Sequence, residues 1–243
     1  MRSFTFAKRC AREILRDPLN LMFGLGFPIV LLLLLSAIQA NVPVGLFEIE
    51  SLAPGVAVFG LSFITLFSAT LIARDRESAL LQRLYTTPLK PVGFIIGYML
   101  PIAPIAIAQS AVCYLVALLL GLPISLNILY ATLMMLPVSV FYVSLGLLCG
   151  SVFNVKQVGG VCGALLTNVS AWLSGVWFDL ELVGGAFVKI ADLLPFSHAV
   201  ELERAVIRGE LAESLPHLYF VLGYAVLVSA CAILCFLRQM KRQ

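Results

Sequence analysis

Six stretches of the chain, residues 20–39, 54–73, 92–120, 126–153, 157–177 and 218–237, contain no Asp, Glu, Lys, Arg or His. A helix needs roughly 20 residues to cross a hydrocarbon core about 30 Å thick, and each stretch meets that length. Inside a bilayer every backbone polar group must be paired within the protein, so an apolar run of this size becomes a helix. Six such runs in 243 residues leave room only for short connections. The sequence therefore predicts an all-α polytopic membrane protein, one domain over residues 1–243, with no separate soluble catalytic domain. Charged residues make up only 12% of the chain, against roughly 25% in a soluble domain.

The connections set the topology. Residues 1–17 place Arg2, Lys8, Arg9, Arg12 and Arg16 apart from Phe4, Ala7, Ala11, Ile14 and Leu15. That is the pattern of an interfacial amphipathic helix with its basic face toward lipid headgroups. A secretory signal peptide is the competing reading of this start, with Ile38-Gln39-Ala40 as an imitation cleavage site, but the apolar run is of spanning length. Pro101 and Pro104 predict that the third span kinks or begins as a cytoplasmic extension, and the fourth span carries Pro137. Segment 178–216 is too polar to cross. Within it 182–194 reads as a short re-entrant or interfacial helix ended by Pro195, and Ser197 caps a second one that closes at Gly209.

Thirteen of the sixteen basic residues fall on the side of the two termini, leaving Lys189, Arg204 and Arg208 on the other. The positive-inside rule then puts both termini in the cytoplasm, with Trp172 and Trp177 at the outer interface. The net charge of +3 is thus a matter of topology, and no nucleic-acid partner is implied. The six cysteines are scattered, and Cys231 and Cys235 share a helix face without further ligands, so neither a disulfide framework nor a metal site is predicted. His198 and His217 read as isolated.

The most charged internal segment, Arg74 to Pro88, lies between the second and third spans. As a helix it sets Leu80, Leu81, Leu84 and Tyr85 on one face, with Arg76, Glu77 and Arg83 elsewhere. Pro88 lacks an amide hydrogen and biases Thr87 away from helical torsions, which ends the helix. A short amphipathic helix at the membrane surface is one reading and a solvated loop the other.

The sequence has no GxxxxGK[ST] phosphate loop and no HExxH, CxxC or EF-hand pattern. The uncharged spans argue against proton- or ion-coupled transport, which places ionisable groups within the membrane. Polar residues cluster in the second span (Thr65, Ser68) and the fifth (Thr167, Asn168, Ser170), where Gly159 and Gly163 form a GxxxG. They line a pathway or a dimer seam, or else only bond neighbouring helices.

This layout resembles the type 2 family of ABC transporter permeases, the exporter-type membrane subunits. The family's loop reads E-R-E-x-G-T-L-E-x-L-x-x-T-P. Asp75-Arg76-Glu77, Leu81, Leu84 and Thr87-Pro88 match it in register, while Ala79, Leu80 and Gln82 depart from it. The resemblance implies a coupling helix between spans 2 and 3, with Arg74, Asp75, Arg76, Glu77, Leu81, Arg83, Leu84, Thr87 and Pro88 as the region that docks an ATPase. It also implies re-entrant helices before span 6, with Glu201, Glu203, Arg204 and Arg208 as a polar lining there. The working unit would be two ABC ATPase subunits with two permease copies, as a homodimer or with a close relative, in the inner membrane of a prokaryote. Cofactors would be none in this chain, ATP and Mg²⁺ being held by the ATPase, and an amphiphilic or hydrophobic substrate would move outward.

Two other classes remain open at this level. One is an ion-coupled transporter or channel without an ATPase, using broken-helix carbonyls near the third-span prolines. The other is a rhomboid-like intramembrane serine protease, since Ser174-Gly175 is half of a G-x-S-G motif. Trp172 stands where that motif needs Gly.

Overall fold

A computed structural model describes residues 2–42, 45, 47–78 and 91–240. The described residues are helical nearly throughout. Helix α1 (Arg2–Leu15) precedes α2 (Pro18–Leu21), a π-helical stretch Met22–Gly26 and α3 (Phe27–Gln39). Then come α4 (Ile49–Glu77), α5 (Pro91–Met99), α6 (Ile102–Leu119), α7 (Asn127–Val152) and α8 (Val155–Val158). A second π-helical stretch, Gly159–Leu166, leads into α9 (Thr167–Leu173). The chain ends with α10 (Leu180–Val183), α11 (Gly185–Leu193), α12 (Pro195–Arg208) and α13 (Leu211–Met240).

Among the described residues, five helical stretches are long and apolar enough to cross a membrane: Met22–Gln39, Ile49–Glu77, Ile95–Leu119, Asn127–Val152 and Leu211–Arg238. The fifth predicted span, 157–177, is helical from Val155 to Leu173 but changes winding twice, so no single helix in it reaches that length. The glycines Gly159, Gly160 and Gly163 sit in its π-helical part. The expected kink in the third span is a break: α5 stops at Met99, and Pro101 takes the N-cap place of α6. Pro104 costs little because it lies in the first turn, where an amide would be unpaired anyway.

Three predicted boundaries move. Helix α4 runs on to Glu77, so Arg74–Glu77 form its last turn rather than the start of a separate helix. Helix α13 begins at Leu211, seven residues before the predicted apolar run, and carries Glu213 and His217 in its opening turns. Helix α12 starts at Pro195, not at Ser197, whose hydroxyl instead donates to the Ala191 carbonyl at 2.8 Å. It closes as expected at Gly209, which takes a left-handed φ of 82°.

Helix α4 is the axis of the bundle, buried on nearly all sides from Leu52 to Ala73. Its main neighbour is α7, and the two approach closely because α7 offers Gly146 and Gly150. A Cβ at Gly146 would lie 2.7 Å from the Thr65 carbonyl oxygen, and one at Gly150 2.6 Å from that of Ala69. Among the described glycines, this GxxxG is the pair whose Cβ positions would meet a neighbouring span's backbone at under 3 Å, whereas a Cβ at Gly159 would meet nothing and one at Gly163 only the Leu66 side chain at 3.4 Å. Thr65 Oγ1 adds a hydrogen bond to the Tyr142 carbonyl at 2.8 Å.

Overpacking of this kind costs about 1–3 kcal/mol. Gly150→Ala is therefore expected to lower the melting temperature in detergent, while Gly159→Ala leaves it unchanged or slightly raised. Equal effects from both variants would contradict the assigned seam.

Candidate functional site: a charged clamp, an aromatic groove and a polar cleft

The last turn of α4 brings together three ion-pair or hydrogen-bond systems at the end of the bundle that holds α1. Asp75 is only 3% exposed. It receives Arg9 Nη1 and Nη2 of α1 at 2.6 and 2.7 Å, a bidentate pair, and the Tyr98 hydroxyl of α5 at 2.8 Å. Arg9 also meets Glu13 at 2.7 Å. The Asp75 hydrogen bond holds the Arg9 guanidinium well above its usual range, while burial pushes the Glu13 carboxyl up. Phe6 packs edge-on to Tyr98 at 5.0 Å, so the polar cluster lies against an apolar contact.

Arg76 turns the other way and donates to the Ser151 and Phe153 carbonyls, the second at 2.6 Å. These are carbonyls at the C-terminal end of α7, which no further helical amide satisfies. Glu77 accepts the Val155 amide at 2.9 Å, at the start of α8. Arg74, exposed like Glu77, lies 3.6 Å from Asp17. Asp75, Arg76 and Glu77 thus tie α1, α5, α7 and α8 to the end of α4. Leu81, Arg83, Leu84, Thr87 and Pro88 lie outside the described residues.

Halfway along the bundle, Phe23, Phe27, Phe59, Phe63 and Trp177 surround a groove of about 470 Å³ together with Gly163, Thr167, Asn168 and Ala171. It runs between the first span, α4 and the fifth helical stretch. Phe27 and Phe63 meet at 5.3 Å, and Trp177 stands edge-on to Phe59 at 5.5 Å. Of the polar residues singled out in the spans, Thr167 and Asn168 line this groove with Gly163, and Gly159 is exposed on the same stretch. Thr65, Ser68 and Ser170 do not line it. Thr65 and Ser68 bond backbone carbonyls, and Ser170 pairs with the Tyr142 hydroxyl at 2.9 Å. The aromatic wall was missed in the sequence. Its signal was present in Phe23 and Phe27, and in Phe59 and Phe63, each pair four residues apart on one helix face.

At the end of the bundle opposite α1, a larger cleft of about 770 Å³ opens among Gly45, Phe47, Glu48, Ser51, residues 175–182 and α12. Trp177 lines both spaces. Arg204 closes one wall by donating to the Gly175 and Ser51 carbonyls at 2.9 and 3.2 Å and pairing with Glu201 at 2.8 Å. Glu203 points inward instead and is fully buried; its Oε2 accepts the Tyr114 hydroxyl at 2.9 Å. Its Oε1 has no hydrogen-bond partner among the described residues. Burial pushes the Glu203 carboxyl well above its usual range. Ser174 donates to the Ala171 carbonyl at 3.1 Å, and the two histidines face each other.

The sequence model of one family, the ABC-2 type transporter, matches residues 2–208, most of the chain. The chain belongs to the ABC-2 type transporter family. Neither a curated protein nor a solved structure matches it. The ABC-2 match takes in α1 through α12, so the clamp, the groove and the residues of the cleft all fall inside the family's region. As an ABC-2 permease the chain is a multi-pass membrane protein whose part is transport, not catalysis.

Asp75→Asn removes the charge that holds Arg9 while keeping the size of the side chain. The expected cost is on the order of 1–3 kcal/mol, read as faster limited proteolysis within residues 2–15 with the spans still protected. For Glu203 the raised affinity for protons means that stability falls as pH rises above the range of an exposed carboxylate. Glu203→Gln is expected to melt with the wild type at pH 4 and above it at pH 8.

Proposed function

We propose that this chain is the membrane-spanning subunit of an ATP-driven exporter, working as two permease copies with two separate ATPase subunits. The observation that carries the reading is the clamp at the end of α4. A force applied beside residues 74–77 passes directly to α1, α5, α7 and α8, because Asp75, Arg76 and Glu77 bond to all of them. The ATPase would dock on the segment between the second and third spans, with Arg74 at its edge and Arg83 within it. Both termini and this segment would face the cytoplasm of a prokaryotic cell, in keeping with the distribution of basic residues.

The aromatic groove is the candidate binding place. It offers ring faces and edges with one amide and one hydroxyl, Asn168 and Thr167, and no charge. That lining suits an amphiphilic or hydrophobic substrate entering from the bilayer. Gly159, Gly160 and Ala164 are exposed beside it, and a second copy seated there would close the groove into a shared cavity. Transport then couples two equilibria: ATP binding draws the ATPases together, and the permease state that fits the closed ATPases is favoured.

The test is purification of the tagged chain from its host under mild cross-linking. An ATPase with a phosphate-binding loop, present in equal amount, is expected; a chain that purifies alone would overturn the coupling reading. In the reconstituted complex, Gly163→Trp should fill the groove and lower substrate-stimulated ATP hydrolysis about tenfold, equivalent to ~1.4 kcal/mol, without lowering the basal rate.

A further inference from the structure

The chain has two histidines, and the fold brings them into contact. His198 sits in the first turns of α12 and His217 in the opening turns of α13, with Nδ1 facing Nδ1 at 2.7 Å. The remaining ring nitrogen of His198, Nε2, lies 2.8 Å from the Asp192 carbonyl oxygen near the end of α11. The Phe220 ring covers His198 with 3.9 Å between centroids. Both imidazoles are half-buried, so water reaches them.

These contacts fix the position of every proton. A carbonyl oxygen only accepts, so His198 Nε2 carries a hydrogen. The Nδ1 of a neutral His198 is then a bare acceptor, and the hydrogen that bridges the rings belongs to His217 Nδ1. That leaves His217 Nε2 with a free lone pair. One further proton adds there without breaking anything, because an imidazolium donating to a neutral imidazole is a charge-assisted bond. Glu201 on α12 and Glu213 on α13 are the carboxylates that act on His217, and Glu201 is itself shared with Arg204. Asp192 of α11 contributes its carbonyl. A second proton has only His198 Nδ1 to bind, where the bridging hydrogen already points. Binding it sets N–H against N–H and cation against cation.

We propose that the His198–His217 pair is an acid-sensitive latch, which holds the start of α12 against the opening turns of α13 while at least one ring is neutral and loosens that contact when both are protonated. The closed arrangement binds the second proton less readily than the open one, so its stability is complete at neutral pH and is lost as the solution becomes acid. The link is local: Tyr224 still donates to the Leu193 carbonyl at 2.7 Å and keeps the end of α11 against α13. Movement is therefore confined to the start of α12 and the opening turns of α13, beside the polar cleft. The latch does not depend on what the permease carries or on its ATPase.

The full chain, labelled with ¹⁵N-histidine and held in lipid nanodiscs with a chelator present, gives an imidazole spectrum of these two residues alone. At neutral pH one ring should be the Nε2–H tautomer and the other the Nδ1–H tautomer, and the pair should protonate in two separate steps. Amide exchange across 195–217, corrected for its intrinsic pH dependence, should rise roughly fivefold at the second step, the equivalent of one net hydrogen bond. In His217→Phe the exchange should already be raised at neutral pH and respond no further to acid. Two Nε2–H rings titrating together, or exchange in the wild type that ignores the second proton, would overturn the latch.

Discussion

Helix α4 has almost no surface of its own. A helix enclosed on every side in a membrane gains nothing from the hydrophobic effect relative to lipid, so its place depends on close contact and paired polar groups. Gly146 and Gly150 supply the first by letting the α7 backbone come within reach of the carbonyl oxygens of Thr65 and Ala69. Thr65 supplies the second through the Tyr142 carbonyl. The other spans are arranged around this pair.

The same helix carries the protein's charge into its interior. Asp75 is a carboxylate at the mouth of the bundle, and burying it without partners would be costly. Arg9 and Tyr98 remove that cost, and in doing so they attach the amphipathic α1 and the broken third span to the axis. Arg76 and Glu77 extend the arrangement to the end of α7 and the start of α8. The segment that resembles the family's coupling loop therefore begins as a structural joint. Asp75 is buried there and Arg76 half-buried, while Arg74 and Glu77 stay exposed.

Much of this was legible in the sequence. Absence of charge located five helical stretches long enough to cross a membrane, and the amphipathic α1 followed from its wheel. The working GxxxG was not picked out, because Gly159 and Gly163 stand beside a third small residue and draw attention, whereas Gly146 and Gly150 lie among leucines. Spacing alone does not say which glycine pair has a helix opposite it. The inward direction of Asp75 was also hidden, since a charge at the end of an apolar run reads as solvated until its partners, 66 residues away at Arg9 and 23 away at Tyr98, are known. Likewise His198 and His217, isolated in the sequence, meet only because α13 starts two turns before its apolar run. Residues outside a clear hydropathy signal were the ones misplaced.

One indole forms part of the wall of two spaces. Trp177 faces the aromatic groove and also the cleft at the opposite end from α1. Gly175, two residues before it, holds a φ of 70°, and Phe59 braces its edge. A single partition makes the two volumes reciprocal, so any swing of the ring that widens one narrows the other. Such a partition works as a one-leaf valve: its leaf can favour whichever chamber is occupied, but it cannot enlarge both at once.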